Sequence, residues 1–305
     1  MGRAKHIIIG ISGTFMMVAL CLLMGCPSEN ETGTKSITIG SKHFTEQEIL
    51  GEIMAVLIEE TTDITVVRKF NLGGTMVCFN ALRTGDIDLY AEYTGTGLVN
   101  ILNKESIPGP DKVYQKVKEA FSKQFDLIWL QPFGFNNTYT LTMRKDDADS
   151  LRIETISDII SYKNNLVPGF DAEFLERPDG YQGLTKKYGF AFGNRPRQMD
   201  PGLMYKALAE GAVDVIDGFA TDGRIRAYNL KVLKDDKAFF PPYYAAPLVR
   251  KETIARYPKL KKILNRLAGQ INDEIMQTLN YRVDKQEMIP REVAREFLKV
   301  KQLID

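Results

Sequence analysis

Apolar positions recur at helical spacing in two places that end alike. Met76, Val77, Phe79 and Leu82 form one helix-like run, and Leu203, Met204, Tyr205 and Leu208 another; they stop at Gly85 and Gly211. A short apolar strand follows each, Ile87 to Ala91 and Val213 to Ile216. Each strand leads to an aromatic, Tyr93 or Phe219, ahead of a loop rich in Thr, Gly and Asp. The stretches Ala81–Gly97 and Ala207–Gly223 align without a gap at an offset of 207 − 81 = 126 residues. This repeat predicts two similar lobes. In open α/β sheets ligands lie beyond the carboxyl ends of the strands, so each lobe aims one aromatic at such a crevice. Helix-glycine-strand order is common in α/β proteins, so the pattern by itself names an architecture rather than a function.

The remaining pattern extends both lobes. Ser36 to Gly40 alternates like an opening strand and ends in a Gly-Ser-Lys turn. A helix follows from Thr45, with Thr45 and Glu48 at capping-box spacing and Ile49, Leu50, Ile53, Met54, Leu57 and Ile58 on its apolar face. A strand at Ile64 to Lys69, the helix at 75–84 and the strand at 87–91 complete a βαβαβ run, the grammar of a parallel sheet. After a helix from Asp111 to Phe125, the strand DLIWL passes through a Pro/Gly interruption, Gln131 to Phe135, into NNTYTLTMRK, which makes this segment a candidate hinge. PPYYAAP carries the chain back near 241, and helical stretches near 258–283 and 290–303 close it, the latter with Pro290 as its first residue. The predicted lobes are 36–135 with 241–305, and 136–240. Two crossings between them suit a hinge-bending clamp.

Composition narrows the function classes. The 305 residues are 44% hydrophobic, enough for two cores, and a dispersed net charge of +1 gives no footprint for nucleic acid. Arg3, Lys5 and His6 precede an apolar run from Ile7 to Met24, then Gly25, Cys26 and a polar stretch. This reads as an export signal over 1–25 with a tether over 26–35. LMGC resembles a bacterial lipoprotein signal, in which the chain is cut before the cysteine and Cys26 is acylated; an uncleaved membrane anchor is the alternative. Either way the body is tethered to the membrane outside the cytoplasm. Cys78 is then the cysteine left in the body, on an apolar helix where a buried, inert thiol is expected. With His6 and His43 the sole histidines, zinc sites and Ser-His or Cys-His machinery are excluded, and neither metal nor cofactor is expected. Asp86 and Asp88 form a carboxylate pair that a hydrolase could use, but their place at a glycine turn and strand start favours turn and capping roles.

Tyr93, Tyr139, Phe219, Tyr243 and Tyr244 lie at strand ends and turns rather than on helical stripes. Convergent ring faces attract a cation through their quadrupoles, and quaternary ammonium groups are characteristic guests. In this context the segments GSKHFTEQ, GDIDLYAEYTGTG, NNTYTL, EFLERPDGY, ATDGR and FFPPYYAAP occur in order. Together, over residues 36–303, they resemble the substrate-binding proteins of bacterial ABC importers for osmoprotectants such as glycine betaine, carnitine and choline. That resemblance implies an α/β, two-lobed periplasmic-binding-protein-like clamp of type II. Each lobe would be a mixed, mainly parallel sheet flanked by helices, hinged by two crossings.

It also implies a site: an aromatic box of Tyr93, Tyr139, Phe219 and Tyr243, with the Asn137 carbonyl adding a dipole, and an anion side of Lys42, Thr96 and Arg177. Phe219 departs from the family's all-tyrosine pattern, and Tyr244 could stand in for Tyr243. Such a division suits a zwitterion, because Arg177 can grip a carboxylate in two-point fashion while Lys42 supplies a point charge. Thr96 stands where an aspartate goes with choline preference in the family, which leans the site toward betaines. The implied protein is a monomeric, non-catalytic solute-binding component serving an ABC permease and, through it, an ATPase subunit. A solute sensor with the same clamp, or a clamp for a non-quaternary ligand such as an amino acid, is the alternative.

Overall fold

The computed structural model describes residues 35–107 and 109–305, and Lys35–Asp305 forms one compact unit. The expected leader, Cys26 and the tether up to Thr34 lie outside the described residues. Among the described residues, strands β1 (Ser36–Gly40), β2 (Thr65–Lys69), β3 (Leu89–Tyr93) and β4 (Leu127–Trp129) come first. β5 (Tyr139–Arg144), β6 (Pro168–Phe170), β7 (Arg197–Gln198), β8 (Val215–Phe219) and β9 (Leu230–Val232) follow, and β10 (Ala245–Arg250) is last. They form two sheets, ordered β2-β1-β3-β10-β4 and β7-β6-β8-β5-β9. The two orders are the same topology written twice. In each, the fourth strand, β10 or β5, pairs antiparallel with both neighbours while the first three run parallel. This is the mixed, mainly parallel fold that the resemblance implies, in the two similar lobes that the repeat predicts.

The antiparallel strands are those that follow the crossings, and the crossings lie side by side. Leu130 N donates to Pro247 O at 2.9 Å, Phe133 N to Ala245 O at 2.9 Å and Asn137 N to Tyr243 O at 3.1 Å. The Gln131–Phe135 interruption is thus one half of a paired ribbon. Its other face takes Gly269 N on Pro132 O and Ile271 N on Phe133 O.

Repeat-equivalent residues do equivalent work. Helix α1 (Thr45–Thr61) packs the first sheet with Ile49, Leu50, Ile53, Met54, Leu57 and Ile58, all buried. Helix α2 (Thr75–Thr84) ends at Gly85 with φ 87°, and Gly211 takes φ 78° at the matching place, a left-handed turn that glycine adopts at little cost. Asp88 accepts from Thr38 N at 2.8 Å, and Asp214, 126 residues on, accepts from Val167 N at 2.9 Å. Asp88 also accepts from Thr253 Oγ1 at 2.6 Å, and Asp86 from Thr84 Oγ1 at 2.6 Å. These acids are structural ties.

Four local expectations are corrected. Thr45 does not cap α1: Phe44 precedes the helix with no side-chain cap, and the Thr45 hydroxyl donates to Asp284 Oδ1 at 2.6 Å. The repeat strands begin two residues late, at Leu89 and Val215, because the turn after the helix holds Ile87 N on Ala81 O. TGTG is not a loop but a helical turn, Thr94–Thr96, that widens into an i→i+5 turn at Gly97–Ile101. The stretch near 258–283 breaks at Gly269, φ 67°, and resumes as Asp273–Asp284 with Asn272 as its cap. No helix among the described residues is long and apolar enough to cross a membrane.

Candidate functional site

The strand-end aromatics converge between the sheets. Tyr139 and Phe219 are cross-strand partners at the ends of β5 and β8, with ring centroids 5.2 Å apart. Tyr243, arriving on the second crossing, meets Tyr139 edge-on at 5.7 Å. Its ring lies so close to Gly95 that a Cβ there would approach Tyr243 Cδ1 to 2.6 Å, which explains a glycine within TGTG. Tyr93 from β3 and Phe219 from β8, equivalent in the repeat, flank one further ring. Phe44 stacks on Phe219 at 5.4 Å and 5°, and on Tyr93 at 6.4 Å and 18°. Together these walls, with Lys42, His43, Thr96, Asn137, Asp171, Glu173 and Arg177 among the other lining residues, bound a narrow cavity of about 40 Å³. A wider groove of about 1290 Å³ adjoins it and shares Tyr139.

The cavity's cations are already matched by acids. Lys42 Nζ lies 2.7 Å from Glu92 Oε1, both buried, and 5.2 Å from the Tyr93 ring centroid. Arg177 donates Nε and Nη2 to Asp179 at 2.8 and 2.7 Å, and Nη2 to Thr96 Oγ1 at 3.2 Å. Its guanidinium sits 5.3 Å from the Tyr139 ring and 6.0 Å from that of Tyr243. The Tyr243 hydroxyl donates to Asp179 at 2.6 Å. Burial above all pushes the phenols of Tyr93, Tyr139 and Tyr243 well above the usual range, so the rings stay neutral.

Behind the cage lies a buried carboxylate. Glu46, on the first turn of α1, accepts from Tyr93 Oη at 2.7 Å, Asn137 Nδ2 at 2.8 Å and Asn280 Nδ2 at 3.1 Å, and from the Thr221 hydroxyl. Burial raises its pKa, and these donors only partly offset that. One side chain thus braces a cage tyrosine, the crossing, the second lobe and the helix Asp273–Asp284.

The chain matches, over residues 35–300, the family described as the substrate-binding domain of ABC-type glycine betaine transport systems. The chain belongs to that family. Its curated relatives include the carnitine transport binding protein of Listeria monocytogenes, 39% identical, with 96% of each chain covered. Another is an ergothioneine transport permease/ergothioneine binding protein from Helicobacter pylori, 42% identical over 93% of this chain; the chain spans only 51% of that relative's length. Among solved structures, a glycine betaine/carnitine/choline ABC transporter protein superposes with TM-score 0.72 at 38% identity, covering 88% of this chain and 100% of that one. Family membership supplies a small-molecule ligand, a permease partner and a place outside the cytoplasm.

In this family member all eight residues expected at the site line one cavity: Lys42, Tyr93, Thr96, Asn137, Tyr139, Arg177, Phe219 and Tyr243. Tyr243 is the member of its pair that faces inward, while Tyr244 lies beside the crossing, bridged to Asn136. The Asn137 side chain bonds within the protein, Nδ2 donating to Glu46 and Oδ1 accepting from Thr221 N at 3.3 Å. Phe44, His43, Asp171 and Glu173 line the same cavity beyond the eight expected residues. Phe44 was readable in the GSKHFTEQ segment that supplied Lys42. Glu173 likewise opens the EFLERPDGY segment that supplied Arg177, whereas Asp171 carries no such signal, because nothing in its spacing distinguishes it from a solvated charge.

Proposed function

We propose that this protein is the solute-binding component of an ABC importer for quaternary ammonium zwitterions of the glycine betaine and carnitine type. It binds without catalysis, as an acyl-anchored monomer serving a permease and its ATPase. The lobes, 36–135 with 241–305 and 136–240, close over a ligand held by Tyr93, Tyr139, Phe219 and Tyr243. Phe44 is a fifth wall. The observation that carries the reading is the convergence of these rings, from separate chain segments, on one cavity that Lys42 and Arg177 also line. A trimethylammonium group offers no hydrogen-bond donor and is attracted to ring faces at roughly 0.5 to 2 kcal/mol each. Thr96 and Arg177 meet at the same cavity and are the groups that would face a carboxylate.

Calorimetric titration of residues 27–305 with glycine betaine, carnitine, choline, ergothioneine and proline tests this. Ergothioneine belongs in the panel because it is itself a trimethylammonium betaine and is named for one relative. Micromolar or tighter binding of a betaine, with choline weaker, is the expected result. Binding of proline alone would overturn the cage.

A further inference from the structure

Helix α2 and the helix Pro201–Ala209 occupy equivalent places in the repeat, 75 + 126 = 201, but their first turns are capped differently. In the second lobe Asp200 caps its own helix, its Oδ1 accepting from Gly202 N at 2.7 Å. The equivalent residue in the first lobe is Gly74, which has no side chain to offer. The cap comes instead from the opposite lobe. Glu173, in the helix Ala172–Glu176, accepts Thr75 N with Oε1 and the Thr75 hydroxyl at 3.0 Å with Oε2. A Cβ on Gly74 would lie 2.2 Å from Glu173 Oε1, and no atom outside Glu173 figures among its nearest neighbours. Gly74 has φ −78° and ψ −172°, which alanine adopts freely. The glycine therefore serves the approach of the carboxylate, not a turn.

We propose that Glu173 is the latch of the clamp, a positioning residue that lends the first lobe its missing helix cap only when the lobes are together. Separation of the lobes strips α2 of its anion, and closure restores it. Arg177 lies one turn after Glu173 on the same segment, with Nη1 3.6 Å from Glu173 Oε2. Docking Glu173 on α2 therefore also carries Arg177 to Thr96 and the cage. Burial works against the charge of Glu173, but Lys42, Arg177 and Thr75 outweigh it and hold the group ionised.

The inference rests on the clamp reading but is tested separately from the ligand. Residues 27–305 contain the whole compact unit and are labelled for single-molecule energy transfer at exposed Ser122 and Lys187, one on each lobe. Without any solute, Glu173→Ala and Gly74→Ala should each lower the closed-to-open ratio by on the order of tenfold, and the double variant should fall no further than either single one. Where solutes bind, the dissociation constants of glycine betaine and choline should rise together, by the factor that the closed population falls. An unchanged ratio in Gly74→Ala, or additive losses in the double variant, would overturn the latch. So would a loss confined to betaine, since a change in the closed population affects every solute alike and a betaine-only loss marks an effect exerted through Arg177 on the ligand carboxylate. If no solute binds the wild type, the proposed ligand fails while the solute-free ratios still decide the latch.

Discussion

Asp179 holds Arg177 in a two-point grip, Nε to Oδ1 at 2.8 Å and Nη2 to Oδ2 at 2.7 Å, with both side chains buried. The guanidinium that the family resemblance assigns to a ligand carboxylate thus spends its fork on the protein and faces the cleft with what remains. Arg177→Lys keeps the charge but cannot reproduce that geometry. We expect it to cost about 3 kcal/mol or more in urea unfolding, because a buried carboxylate loses its partner, and to weaken betaine binding more than tenfold. A variant as stable as wild type would show that the grip contributes nothing.

The cage separates ring from hydroxyl at Tyr93. Tyr93→Ala should abolish measurable binding of every quaternary solute. Tyr93→Phe keeps the π face and removes one donor from Glu46, so affinity should stay within a few-fold while stability falls by about 1 kcal/mol. Phe44→Ala, which opens the stack between Tyr93 and Phe219, should behave like the alanine variant in calorimetry, in lesser degree.

Glu46 sets a sign for the pH dependence of stability. Its folded pKa is raised, chiefly by burial, so the folded state holds a proton that the unfolded chain releases near pH 4.5. Its contribution is complete below that value and is lost as pH rises through the folded pKa. Glu46→Gln removes this loss. The stability of wild type relative to Glu46→Gln should therefore fall from about pH 4.5 upward, as read from denaturant midpoints at matched pH. A constant difference would mean that Glu46 does not titrate in that range.

Cys78 is fully buried, and burial pushes its thiol up to about 12. In residues 27–305, whose one cysteine it is, a thiol reagent at pH 8 should react only as fast as the protein unfolds. Rapid stoichiometric modification of folded protein would contradict the burial.

The sequence made the repeat legible because two helix-glycine-strand units share one gapless alignment, and the equivalence of Asp88 with Asp214 and of Tyr93 with Phe219 follows from it. The aromatic walls were readable as strand-end residues. What was not readable depends on side chains that meet across long separations. Thr45 looked like a cap by local spacing, yet its hydroxyl is claimed by Asp284, 239 residues away. Lys42 looked free to meet an anion, and its pairing with Glu92 depends on β1 and β3 being neighbours. Glu46 and Glu173 likewise find their partners only across lobes, Glu46 at Thr221 and Glu173 at Thr75.

The position of β10 has a consequence for how the chain comes into being. All strands of the second sheet lie between residues 139 and 232, whereas the first sheet needs 245–250 inserted between β3 and β4. During synthesis from the amino end, the later-encoded sheet is complete while the earlier one still has a gap in its middle. The older half of the molecule stays one strand short until every strand of its neighbour has already been made. Tyr243 lies two residues before that strand, so the aromatic-walled cavity is also incomplete until the last piece of the first sheet is in place.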